Sequence, residues 1–165
     1  MPLPLTTERL LLRPAAIDDL EAWHAIAQDA EEAWFGAASS TLDDSQARLE
    51  KHVQHQESHG FALWVVELRS TGEVIGITGL THLEDGPEIE VGYRFLRRCW
   101  GHGYATEAAK ASLAFGLGEL GLERIVAVTR PDNRASRRVL EKCGLHFVGT
   151  TYVYGDEHVK YAFSR

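Results

Sequence analysis

The sequence predicts an α+β fold of about seven mostly antiparallel strands with about four helices. Three observations carry this reading. Two segments near the N-terminus place apolar residues at the helical period. Between residues 61 and 96 the period falls to two, and the turns are too short for crossovers, so three strands read as an antiparallel meander. Beyond residue 96 helix and strand signals alternate, and a hairpin closes the chain.

A first strand reads at Leu10–Pro14. Asp18 and Glu21 then form a D-x-x-E capping box, and Leu20, Trp23, Ile26 and Ala30 fall on one helical face. Trp34–Ser40 reads as a loop, after which Thr41 caps a second helix running to about Ser58, with Leu49 and Val53 inward. The meander comprises Phe61–Leu68, Val74–Leu83 and Glu88–Leu96, with turns at Ser70–Glu73 and Glu84–Pro87. A helix follows from about Gly103 to Leu120, then a strand at Arg124–Thr129. Pro131–Asn133 breaks the pattern, and a helix over Ala135–Cys143 ends at Gly144, a left-handed cap. Phe147–Tyr154 and His158–Ser164 pair around Gly155–Asp156. No repeat, low-complexity tract or linker interrupts residues 1–165, which read as one domain able to bury a sizeable core.

Composition narrows the function classes. The net charge of −7 argues against general nucleic-acid binding. No apolar run reaches the roughly 18–20 residues that cross a membrane, and MPLPLTTERLLLRP lacks a basic start before a long apolar stretch, so no signal peptide is expected. Cys99 and Cys143 have no metal-like spacing and read as free thiols of a cytoplasmic protein. Charge is unevenly spread: residues 94–142 hold ten of the 17 Lys and Arg but five of the 24 Asp and Glu. A basic stretch in an acidic chain suits an anionic ligand there and a cationic substrate elsewhere.

That stretch contains RRCWGHGYATEA, residues 97–108. A helix N-terminus offers unpaired N–H groups and a partial positive charge, and Gly101 and Gly103 leave the backbone bare enough for phosphate to touch it. A P-loop needs a Lys followed by Ser or Thr, which is absent here. A dinucleotide fingerprint needs a third glycine and a βαβ setting, and Thr106 stands where that glycine belongs. Arg98-Cys99-Trp100-Gly101-His102-Gly103 matches R/Q-x-x-G-x-G/A in full, after a strand and before a helix.

With this motif the chain resembles the GNAT superfamily of acetyl-coenzyme A–dependent N-acetyltransferases, and in particular its RimJ/RimL-like branch. The resemblance runs nearly end to end: Thr7–Pro14, Gly76–Leu80, Glu90–Tyr93 with Trp100–Ala108, and Asn133–Gly144 look in order like that branch's segments. It implies the GNAT (acyl-CoA N-acyltransferase) fold, with central strands splayed at a bulge, acetyl-CoA as cosubstrate and a primary amine as acceptor. The acceptor is then a protein N-terminus or a small amine, and a homodimer is implied on the same ground.

By resemblance the pyrophosphate lies on the amides of Arg98–Ala105, with Arg97, Arg98 and His102 adding charge around Gly101, Gly103, Tyr104 and Ala105. The cofactor arm pairs with splayed backbone at Phe95 and Leu96, and Asn133 hydrogen-bonds it. Attack by an amine requires loss of a proton, for which Glu90 is the first candidate base. Glu88, two residues away on the same strand face, is a second carboxylate that can raise a pKa or hold an ammonium group. The family's usual tyrosine acid falls on Leu140, which cannot donate, and Ser136 is the substitute of the RimL-like branch. A thiolate of pKa near ~8.5 can also leave with little help. Trp34 and Phe35 lie where the family selects its acceptor. The rival reading is a non-catalytic acyl-CoA-binding or sensor domain of the same fold.

His52, His55 and His59 also stand out, but no carboxylate completes an H-E-x-x-H pattern. They read as a polar helix face, and no metal is expected.

Overall fold

In the computed structural model, which describes residues 3–165, the helix and strand segments form one mixed sheet with helices on both faces. The strands are β1 (Leu5–Thr6), β2 (Leu10–Arg13), β3 (Leu63–Leu68), β4 (Val74–His82), β5 (Ile89–Phe95), β6 (Arg124–Thr129), β7 (His146–Val153) and β8 (Asp156–Ser164). The helices are α1 (Leu20–Phe35), α2 (Leu42–His59), α3 (Tyr104–Gly118) and α4 (Arg134–Lys142). The spatial order is β1-β2-β3-β4-β5-β6-β8-β7. All neighbours are antiparallel except β5 and β6, which the α3 crossover joins in parallel. No helix among the described residues is long and apolar enough to cross a membrane.

Among the described residues eight strands stand where about seven were expected. The extra one is β1, whose two residues pair with Leu12 and Leu11 and are too few to show a period. The capping box also lies two residues earlier than expected, at Ala16 and Asp19, and opens a 3-10 turn over Ile17–Asp19 rather than α1. Asp18 lies within a 3-10 turn, and it is the Asp19 carboxylate that accepts from the Ala16 N–H at 2.8 Å while gripping the Arg13 guanidinium at 2.8 and 2.9 Å. Trp34 and Phe35 end α1 rather than opening a loop, because the left-handed residue that stops the helix is Gly36. Thr41 caps α2 as the sequence suggests, accepting from the Asp44 N–H at 3.1 Å while Asp44 accepts from the Thr41 N–H at 2.9 Å.

Strand alternation sorts the core onto two faces. Trp64 and Val66 of β3, Val91 and Phe95 of β5, and Ile125 and Ala127 of β6 pack under α3 and α4 against Ala108, Leu113 and Leu140. Val65 and Ile77 pack on the other face against Trp23 and Ile26 of α1 and Leu49 of α2. β4 supplies Ile75 to the first face and Ile77 to the second, despite their even spacing. A register shift against β3 at Val66/Glu67 accounts for this, since an extra residue turns the following side chains over.

The shift is one of two in the sheet, the other being at Phe147/Gly149 of β7. Neither shift falls on β5, the strand on which the splaying bulge was expected. β4 and β5 pair one-to-one from Gly76–Phe95 to His82–Ile89.

Gly79 has φ +151°, and a Cβ there would stand 2.1 Å from the Ala62 carbonyl oxygen. Gly79→Ala should therefore destabilise the protein by ~2–4 kcal/mol, measured by urea denaturation, because backbone rather than a flexible side chain blocks the space.

Candidate active site

β5 and β6 share one bridged pair, Glu90 with Val126, and then part. Backbone direction on β5 follows from its edges: the Leu96 N–H donates to the Ile75 carbonyl on β4 at 3.0 Å, and the Glu88 carbonyl accepts from Leu83 at 2.9 Å. Even-numbered residues thus turn their backbone to β4. Odd-numbered residues turn theirs to β6, so beyond Val91 the main chains of Tyr93 and Phe95 face the gap. Leu96 was expected to pair with a ligand there, but its amide is committed to β4. Phe95 does face the gap, where its carbonyl accepts from the Trp100 indole N–H at 2.8 Å.

The glycine loop closes one end of the gap. Gly101 and Gly103 have φ of +82° and +81°, the left-handed region that glycine enters freely. Gly103 is the N-cap of α3, no side chain caps that helix end, and its first intrahelical bond is Glu107 N–H to Gly103 C=O at 3.1 Å. The Tyr104, Ala105 and Thr106 amides therefore precede the helical ladder and point outward as an anion cradle. These donors and the missing side chains fit a pyrophosphate.

Arg9 and Glu107 hold the loop in shape. Glu107 accepts from the Thr7 hydroxyl at 2.5 Å, the Arg9 amide at 2.9 Å and the Arg9 Nε at 2.8 Å. Arg9 also donates to the His102 carbonyl at 2.8 Å and lies 4.5 Å from the Tyr104 ring centre, on which His102 stacks. Burial opposes the Glu107 anion, but these hydrogen bonds hold its carboxyl below the usual range. Arg9 was missed in the sequence because its partner is 98 residues away. The neighbouring arginines are engaged by carboxylates: Arg97 lies 3.6 Å from Asp29 and 3.4 Å from Glu32 of α1, and Arg98 pairs with Glu73. They brace the loop against its surroundings.

Glu90 and Tyr93 occupy opposite faces of β5. Glu90 is on the α1–α2 face beside Val126, which packs with Leu83, Val153 and Ala162. It is 8% exposed. Burial pushes its carboxyl up to about 7; a hydrogen bond from Tyr154 works the other way, and the Glu84 charge adds to the rise. Tyr154 escaped the sequence reading. It sits in the β7–β8 turn at φ +52°, an uncommon conformation for a tyrosine, and its N–H donates to Glu84 while its hydroxyl donates to Glu90. The anion that raises the Glu90 pKa is thus Glu84 and not Glu88. Glu88 precedes β5, and Lys160 at 2.5 Å and Arg124 at 3.6 Å engage its carboxylate. It is not free to receive an ammonium group.

On the α3–α4 face, the Tyr93 hydroxyl lies 2.8 Å from the Ser136 Oγ and donates to the Ser136 carbonyl at 3.1 Å. The Asn133 Oδ1 accepts from the Ser136 N–H at 3.1 Å, so Asn133 caps α4 and keeps its NH2 donors for a ligand. Burial pushes the Tyr93 phenol above its ordinary range. Trp34 and Phe35 stand across from the end of β6, with the Arg130 guanidinium 5.9 and 5.7 Å from their ring centres. An open cleft of about 270 Å³ lies next to Arg130, lined by Pro131, Asp132, Asp156 and Glu157.

Comparison with known proteins agrees with this geometry. The family model described as "Acetyltransferase (GNAT) domain" matches residues 9–146. The Bacillus subtilis (strain 168) protein called "Uncharacterized N-acetyltransferase YoaA" is 32% identical over 154 residues, covering 91% of this chain and 86% of that protein. A crystal structure of an acetyltransferase from Agrobacterium tumefaciens str. C58 is 28% identical, with a TM-score of 0.83 over 98% of this chain and 94% of that one. RimL, a ribosomal alpha-N-protein acetyltransferase solved in complex with coenzyme A, shares the fold at 18% identity, with a TM-score of 0.80 over 98% and 97% of the two chains.

Glu107→Ala should cost ~1–3 kcal/mol in urea denaturation, because it leaves three donors without their shared acceptor. Amide hydrogen exchange over residues 100–106 should accelerate in the same variant.

Proposed function

Since this chain belongs to the GNAT acetyltransferase family, we propose that it transfers an acetyl group from acetyl-CoA to a primary amine by direct attack in a ternary complex. The observation that carries the mechanism is the placement of Glu90. A half-titrated carboxyl at neutral pH stands on the α1–α2 face where the sheet opens, while the anion cradle and Ser136 lie on the other face. Acceptor and donor then approach through the gap from opposite sides.

The gap also sets the division of labour. The glycine loop holds the pyrophosphate, the Tyr93 and Phe95 backbone and the Asn133 NH2 group receive the arm, and a gap-facing amide of β5 stabilises the oxyanion. The amine lone pair attacks the thioester carbon, the amine's proton passes to Glu90, and the C–S bond breaks. The departing thiolate accepts a hydrogen bond from the Ser136 hydroxyl, which lies 2.8 Å from the Tyr93 hydroxyl, and takes up its proton from solvent.

The acceptor we favour is the α-amine of a peptide N-terminus, as the name of RimL states for that protein. The cleft formed by Arg130, Pro131, Asp132, Asp156 and Glu157 is open, with Arg130 pairing to Asp132 and Asp156, and this openness supports a peptide chain end over a small molecule enclosed on all sides. Trp34 and Phe35 border the same region through Arg130.

Glu90→Gln should leave acetyl-CoA affinity within about twofold of the parent and cut turnover by ~10²-fold or more. Unchanged turnover removes Glu90 from the mechanism, and a fold that binds acetyl-CoA yet acetylates no amine or N-terminal peptide is a sensor domain. Base catalysis requires the ionised carboxylate, so kcat/KM should rise with pH through about 7. Tyr154→Phe removes a hydrogen bond that favours the anion, so that rise should move to higher pH, read from the pH–rate profile.

A further inference from the structure

Three histidines from two elements meet at the far end of α2. His55 and His59 are one turn apart on that helix, and His82 ends β4 opposite them. One ring nitrogen from each lies within 4.8 Å of the others. Their ring centres are separated by 4.5, 5.0 and 5.0 Å, a near-equilateral triangle. We propose that His55, His59 and His82 form a binding site for one divalent transition-metal ion of the zinc class, fastening the C-terminal end of α2 to the end of β4.

The hydrogen bonds around the trio favour ligation. A carbonyl only accepts, so the His55 Nδ1 must donate to the Phe61 carbonyl at 2.6 Å. In neutral His55 this leaves the Nε2 lone pair aimed at the His82 Nδ1, 2.8 Å away. A backbone carbonyl on the second ring nitrogen is the usual arrangement behind a metal-bound histidine, because it fixes both tautomer and ring orientation. Gly60, left-handed at φ +79°, ends α2 and returns the chain so that Phe61 delivers that carbonyl. The Phe61 ring lies 4.9, 5.9 and 5.6 Å from the three imidazole centres and forms an apolar floor.

Ligation demands little rearrangement. Tetrahedral zinc with Zn–N near 2.0–2.1 Å sets its nitrogens roughly 3.3 Å apart. The His55–His82 pair, at 2.8 Å, opens slightly, and all three nitrogens already lie within 4.8 Å of one another. His82 moves its proton from Nδ1 to Nε2, so no charge changes on that ring. His59 is exposed, so water can take a fourth position. His52 is not part of the set: it packs 5.6 Å from the Trp23 ring centre on the buried side of α2. The sequence hid the site because its third member is 27 residues from His55.

The test is a calorimetric titration of ZnCl2 into the full, tag-free, chelator-stripped chain at pH 7.5. One Zn2+ should bind per chain at micromolar Kd or tighter, raising Tm by about 5 °C at hundredfold excess over Kd. His59→Ala and His82→Ala should each weaken binding at least tenfold, whereas His146→Ala, on β7, should not. His59 is exposed, so its variant keeps the fold, verified by circular dichroism without metal. Co2+ should give the visible bands of a tetrahedral nitrogen site, absent in both cluster variants. No binding at millimolar Zn2+, affinity unaltered in both variants, or a thiolate–cobalt band from Cys99 or Cys143 would overturn the proposal. Acetyl-CoA takes no part, so the result is independent of the transferase reading.

Discussion

The structure depends on the parting of β5 from β6. A sheet interior normally pairs every main-chain donor and acceptor, and an unpaired stretch costs free energy unless something else meets it. Here one bridged pair at Glu90 and Val126 is followed by divergence, with the α3 crossover and the glycine loop filling the connection. The gap is kept open from outside. Arg9 and Glu107 tie the loop to the N-terminal strands, Arg97 ties it to α1, and the Trp100 indole caps the Phe95 carbonyl. A bare backbone at the centre of the molecule is thus available to a long, amide-bearing ligand without local unfolding.

The parting also explains how Glu90 acquires its character. It is the last β5 residue paired to β6, so it is sheltered by Val126 yet borders the opening. Desolvation raises its pKa, and the Tyr154 hydroxyl restrains the rise. Tyr154 reaches it from a turn whose left-handed backbone is tied to Glu84. The same turn therefore supplies both a group that favours the anion and, through Glu84, a charge that opposes it. Such opposed influences leave a carboxyl poised near neutrality.

Much of the fold was legible because its signals are local. The Thr41–Asp44 box, the period change at residue 61, the glycine loop and Gly144 at the end of α4 need only a few neighbouring residues. Resemblance to the GNAT pattern added the order of the segments. What escaped was set at long range. The two-residue β1 is defined by its partner, the ion pairs of Arg97, Arg98 and Glu88 by residues on other elements, and Tyr154 by a turn conformation. Leu96 was misjudged because strand alternation fixes which way a backbone faces only once the pairing is known. The contact of Tyr93 with Ser136 was missed for the same reason, since it joins a strand to a helix 43 residues away.

The central claim is that the parted backbone and the first turn of α3 receive one continuous ligand. Amide hydrogen exchange with and without saturating acetyl-CoA tests this most directly. The account predicts slowed exchange in two separate stretches, residues 91–95 and 103–106, with β1 and β7 unaffected. Binding that left both stretches exchanging at their free rates would place the ligand elsewhere and contradict the account.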